Sequence, residues 1–121
     1  MRILIADDNQ LVRRGVKSIL ASETLFEVCG EAEDGEKAVL MARELQPDLV
    51  LLDVSMPRQS GLQTARLIRQ ELPKTKIIVM SQHDPIQLSP RATEAGAHAC
   101  VDKSRLASDL LMTVKRVGQV N

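Results

Sequence analysis

Residues 49–57 read LVLLDVSMP, and the junction inside this stretch decides the fold. Leu49, Val50, Leu51 and Leu52 are apolar without a break, and the next residue is a carboxylate, Asp53. A run that is apolar at every position is the pattern of a strand covered on both faces. An ionised acid at the end of such a run is costly unless something pairs with it. Asp53 therefore needs partners, and the rest of the chain must supply them.

Similar short runs recur on both sides: RILIA at 2–6, FEVCGEA at 26–32, DLVLL at 48–52, KIIVM at 76–80 and HACV at 98–101. Between them lie stripes with helical spacing. Val12, Val16, Ile19 and Leu20 form the first, and Ala38, Met41, Ala42 and Leu45 the second. Leu62, Ala65, Ile68 and Leu72 form another, and Leu106, Leu110, Val114 and Val117 the last. Such stripes pack helices onto a sheet. Gln46-Pro47 and Leu72-Pro73 close the second and third helices, because a residue before proline is pushed out of the α region. Asp84-Pro85 and Ser89-Pro90 both look like helix starts. Pro90 inside a helix would cost about 3 kcal/mol. The spacing therefore predicts a short fourth helix beginning near Pro90, with residues 82–89 as a mobile loop or loose turn.

Alternating strands and helices predict an α/β fold, a doubly wound parallel five-stranded sheet with helices on both faces. The 121 residues suit one domain. Apolar residues make up 44% and charged residues 26%, with zero formal net charge. That balance argues against direct nucleic acid binding, and Phe26 alone offers no aromatic stacking platform. No apolar run approaches the roughly 20 residues of a membrane span. MRILIADD is not a signal peptide, since its apolar run meets two acids. Cys29 and Cys100 read as reduced core cysteines of a cytoplasmic protein rather than a disulfide.

Ligands of an open parallel sheet bind beyond the carboxyl ends of its strands. Asp7 and Asp8 follow the first strand, Asp53 the third, Ser81 the fourth and Lys103 the fifth. Each has a plain structural reading as a cap, a turn residue or a solvated charge, but together they bring three acids, a hydroxyl and an amine to one edge. Two like charges about 4 Å apart repel by about 4 kcal/mol at an effective dielectric of about 20. Three need a cation or a proton. All-oxygen ligands in a partly open site suit Mg²⁺ shared with a phosphate. Such a site fits a phosphoryl group on a carboxylate, between a divalent cation and an ammonium.

The acid pair at 7–8, D-x-x-M-P-x-x-x-G at 53–61, Ser81, E-A-G-A at 94–97 and Lys103 together resemble the receiver domain of two-component response regulators. The resemblance covers essentially the whole chain and implies the flavodoxin-like strand order 2-1-3-4-5. It implies phosphorelay signal transduction, with Asp53 as phosphoacceptor from a sensor histidine kinase. Asp8 and Asp53 would bind Mg²⁺ directly, Asp7 through a water, and Ser55 through its backbone carbonyl. Lys103, the Ser81 hydroxyl and the Gln82 amide would hold phosphoryl oxygens. The S-x-H-D run at 81–84 and the Lys103-Ser104 junction are similar to the subfamily with LuxR-type, DNA-binding output domains. That likeness implies transcription regulation, with homodimerisation on phosphorylation. Residues 1–121 are expected to form the receiver alone, excised from a longer regulator in preference to a single-domain one. Ser104 is expected to cap the last helix.

Three positions depart from the family pattern. Cys100 stands where receivers carry Tyr or Phe as a switch partner of Ser81, and a thiol is too small to fill that space. Gln82 replaces a small residue, and Pro90 falls inside the family's fourth helix. These departures imply retained phosphorylation chemistry with altered output. The main alternative is a pseudo-receiver, a phosphorylation-independent interaction module. A haloacid dehalogenase phosphatase would need D-x-D at the nucleophile, where this chain has Asp53-Val54-Ser55. A flavodoxin-like FMN binder would need a hydroxyl- or glycine-rich loop where this chain has ADDNQ. The domain is therefore expected to catalyse only its own phosphorylation and dephosphorylation, not to act as a metabolic enzyme.

Overall fold

Strands β1 (Arg2–Ala6), β2 (Glu27–Ala32), β3 (Leu49–Asp53), β4 (Lys76–Ser81) and β5 (Ala99–Asp102) alternate with helices. The helices are α1 (Gln10–Leu20), α2 (Gly35–Leu45), α3 (Gly61–Glu71), α4 (Pro85–Glu94) and α5 (Leu106–Gly118). The computed structural model describes residues 1–82 and 85–118, without the side chains of 85–89. All strand pairs are parallel and the order is β2-β1-β3-β4-β5, as expected.

Alternate residues of the central strands face opposite layers. Leu4, Val50, Leu52, Ile77 and Val79 pack with Ala38, Ala42, Leu62, Ala65, Ile68 and Ala92 of α2, α3 and α4. Ile3, Ile5, Leu49, Leu51, Ile78 and Met80 pack with Val16, Leu20, Leu110, Val114 and Val117 of α1 and α5. Each fully buried Leu, Ile or Met contributes about 1.5–3 kcal/mol. The wholly buried run of β3 explains why LVLLD lacks alternation: both of its faces are inside. Cys29 and Cys100 are free, on the opposite edge strands β2 and β5. Four strand spacings put them roughly 19 Å apart, beyond the roughly 7 Å a disulfide tolerates.

Caps start the helices. Asn9 accepts from the amides of Leu11 and Val12, Asp34 from Lys37, and Ser60 from Gln63. Neither Asp7 nor Asp8 caps α1. Gln46 ends α2 in the left-handed region, and Leu72 ends α3 outside the helical region, each before its proline. The last helix departs from expectation. Asp102, not Ser104, is the cap: its carboxylate accepts from both the amide and the hydroxyl of Ser104, opening a 3-10 turn, Lys103–Arg105, that leads into α5.

The fourth helix also differs from the sequence reading. It runs from Pro85 to Glu94 with Pro90 inside it, so residues 85–89 are helical, not a loop; residues 83 and 84 of the expected loop lie outside the described residues. Proline at the first position suits a helix start. Pro90 is solvent-exposed, on the side where a helix can tilt a freed carbonyl toward water. On the following turn Ala92 and Ala95 are buried. The helix ends in a closed motif: Gly96 donates to the Thr93 carbonyl at 3.0 Å and Ala97 to the Ala92 carbonyl at 2.9 Å. Gly96 has φ +99, a conformation that favours glycine.

Candidate functional site

The parallel order delivers the ends of β1, β3, β4 and β5 to one edge, and an open cleft of about 550 Å³ lies there. Asp8, Asn9, Gln10, Asp53, Ser55, Gln82 and Lys103 line it. Asp7 is fully buried beneath, and its backbone amide still continues the ladder to the Ala32 carbonyl at 3.0 Å. Carboxylate oxygens of Asp7, Asp8 and Asp53 lie within 4.8 Å of one another. Lys103, its side chain only 9% exposed, places Nζ 2.6 Å from Asp7 Oδ2 and 3.1 Å from Asp53 Oδ1.

Backbone amides take part of the carboxylates' remaining capacity. Asp7 Oδ1 accepts from the Asn9 amide at 2.8 Å, and Asp53 Oδ1 from the Ser55 amide at 3.2 Å. Asp7 Oδ2 is buried and has no aligned donor. The Lys103 ammonium, 2.6 Å away, supplies its counter-charge. Burial first, and then the Asp7 charge, hold the Asp53 carboxyl above the usual carboxylate range, against the pull of Lys103 and the Ser55 amide. Burial alone would lower the Lys103 ammonium, but contact with both carboxylates outweighs it and the net shift is upward. An under-coordinated buried oxygen, crowded carboxylates and hard donors fit a small divalent cation such as Mg²⁺.

Ser81 is fully buried at the end of β4, whose Met80 is the register partner of Asp53. It is not a cleft-lining residue, whereas Gln82 is. Cys100 pairs with Val79 and packs into the α2–α4 layer, away from the carboxylates. Burial, and then the Asp102 charge, push its thiol up.

Sequence reasoning missed a brace behind the acid pair. Arg13 Nη1 donates to the Asp7 carbonyl at 2.5 Å while its Nε meets Glu31 at 3.0 Å. Glu31 also pairs with Lys17 at 3.0 Å, and these contacts, Lys17 first, hold it below the usual range. Helical spacing puts Arg13 and Lys17 on one side of α1, but only strand pairing brings Glu31 to them. Asn9 and Gln10, the cap and the first residue of α1, also line the cleft, because α1 begins just past the end of β1.

The response regulator receiver domain family matches residues 3–115. The transcriptional regulatory protein DegU of Brevibacillus brevis is 40% identical over 98% of this chain, which covers 50% of that protein. Response regulator protein VraR of Staphylococcus aureus is 30% identical over 98% of the chain, covering 57% of that protein. The chain thus spans about half the length of these curated relatives. Among solved structures, the signal receiver domain of the putative response regulator NarL from Mycobacterium tuberculosis superposes with a TM-score of 0.91 at 31% identity. That match covers 99% of this chain and 97% of the other. A LuxR-family two-component response regulator from Aurantimonas sp. SI85-9A1 gives 0.91 at 30% identity, covering 97% and 84%.

Proposed function

This chain belongs to the response regulator receiver domain family, and from that premise we propose that Asp53 accepts a phosphoryl group from the phosphohistidine of a sensor histidine kinase. The observation that carries this reading is the meeting of three carboxylates and one ammonium at the strand-end cleft. An Asp53 oxygen attacks phosphorus, the nitrogen–phosphorus bond breaks, and the imidazole leaves with its electron pair. Lys103 turns from Asp53 to the phosphoryl oxygen it then neutralises, with the Ser81 hydroxyl and Gln82 amide donating to others. Asp8, Asp53, the Ser55 carbonyl and Asp7 through a water would hold Mg²⁺, which supplies charge neutralisation at the transferring group.

A DNA-binding output, a homodimer formed on phosphorylation and a cytoplasmic location belong to the same proposal; among the described residues no helix is long and apolar enough to cross a membrane. The domain would catalyse its own phosphorylation and dephosphorylation and no metabolic reaction. Cys100 in place of a ring suggests that output is coupled differently. Incubation with acetyl phosphate and Mg²⁺ should add the mass of one phosphoryl group, and Asp53→Asn should not gain it. A wild-type protein that binds Mg²⁺ but never gains that mass would support the pseudo-receiver reading instead.

A further inference from the structure

The loop leaving Asp53, residues 54–60, is held in a strained shape. Arg58 has φ 70, in the left-handed region that long side chains rarely occupy. The Gln59 amide donates to the Pro57 carbonyl at 2.7 Å, closing a three-residue turn around Arg58. With a positive central φ, this is the rare and strained hand of the γ-turn. Such a conformation persists only where its surroundings over-determine it.

One side chain supplies much of that restraint. Gln59 Nε2 donates to Thr64 Oγ1 at 3.1 Å and to the Gly35 carbonyl at 3.3 Å. Thr64 is fully buried on α3, and Gly35 is the first residue of α2. Both amide hydrogens are used, so the loop is tied to two separate helices. A weaker contact lies beside it, Arg58 Nε to the buried Asp34 Oδ2 at 3.8 Å. At the loop's base the Gly61 amide donates to the Val54 carbonyl at 3.0 Å. Ser55 therefore sits between two fixed points, with its amide on Asp53.

We propose that Gln59 is a positioning residue: it latches the β3–α3 loop so that Ser55 stays on Asp53, and it thereby sets the cation affinity of the cluster. The proposal rests on the metal reading above. A side chain of similar length without a donor removes the bond to the buried Thr64 Oγ1, unties the loop from the Gly35 carbonyl and lets Arg58 relax. Relaxation displaces the segment carrying Ser55. Mg²⁺ tolerates little distortion of its octahedron, so affinity reports that displacement.

The test is a Mg²⁺ titration by calorimetry, with amide hydrogen exchange, on wild type, Gln59→Met, Gln59→Glu and Thr64→Val. Gln59→Met should weaken Mg²⁺ binding by about tenfold, the lower end for residues that support ligands from behind. Gln59→Glu, ionised and unable to donate, should weaken it similarly. Amides of residues 55–61 should exchange faster in both, while those of β1 and β3 keep wild-type protection. Thr64→Val should show a smaller loss in the same direction and carries the comparison if Gln59→Met fails to fold. Affinity within twofold of wild type in a folded variant overturns the proposal, even with faster loop exchange. A wild type that binds no Mg²⁺ overturns the metal reading itself, and with it the affinity claim, whatever the exchange data show about the latch.

Discussion

The ammonium of Lys103 lies closer to Asp7, at 2.6 Å, than to Asp53, at 3.1 Å. One buried cation thus bridges two carboxylates from different strands, and it is the fixed positive charge among three acids. Removing one member of a buried ionic group leaves the others uncompensated. Lys103→Met should therefore lower the metal-free stability by about 2 kcal/mol, softened because Asp53 can protonate. Millimolar Mg²⁺ should stabilise the variant more than the wild type, since the cation replaces lost charge. Urea unfolding with and without Mg²⁺ checks both, and a metal-free variant as stable as wild type would show that the bridge is not compensating the acids.

Pro90 sits in the sixth position of α4, where its nitrogen has no hydrogen to give the Ile86 carbonyl. Pro90→Ala should restore that bond and raise stability by roughly 1 kcal/mol or more, within the penalty of about 3 kcal/mol for an interior proline. If the phosphorylated wild type relies on a loose α4, the variant should also change oligomer size on phosphorylation. A thermal midpoint at or below that of wild type would mean that α4 has already absorbed the proline without cost.

His98 couples the start of β5 to β4. Its backbone amide donates to the Ile77 carbonyl at 2.7 Å, and its Nδ1 accepts from the Ile77 amide at 3.1 Å. The ring is exposed on its outer side, but the Nδ1 edge is shielded. Burial of that edge first, then Lys76 and Arg69, hold the imidazole below its reference value of 6.5. The unfolded chain therefore takes up a proton at a higher pH than the folded one. The stabilisation is complete above about 6.5 and is lost as pH falls through the folded value. Urea midpoints should drop on acidification in that window. His98→Asn, which keeps an acceptor but does not titrate, should flatten the profile.

Asp102 and Ser104 make a reciprocal test of the start of α5. The carboxylate accepts from the Ser104 amide at 2.9 Å and from its hydroxyl at 2.8 Å, and these bonds hold Asp102 below the usual carboxylate range. Asp102→Ala should lower the urea midpoint clearly more than Ser104→Ala, which loses only the hydroxyl bond. The reverse ranking would restore Ser104 as the cap.

Much of the site was legible because its residues follow directly from strand ends. A wholly apolar run closed by Asp53, and acids after RILIA, are local facts, and parallel topology places all such ends together. Arg13, Glu31 and Gln59 were not legible in the same way. Arg13 and Gln59 each act on a residue from another element, so their partners are set by register and packing and not by spacing. The start of α4 was not legible, because the local penalty at Pro90 points to a later start than the helix takes. Ser104 was not legible as a capped residue, because only the structure shows that Asp102, two residues earlier, opens the 3-10 turn and takes the Ser104 amide and hydroxyl itself.

By itself the sequence determined the layer order, the buried strands and which residue types reach the carboxyl edge, since these depend on periodicity along one stretch of chain. Only the tertiary structure decided that Lys103 is shared between Asp7 and Asp53, that α4 runs through Pro90, and that a strained turn at Arg58 is held from α2 and α3. Those outcomes are balances between a local cost and contacts made with distant residues, and no local pattern contains both sides of such a balance.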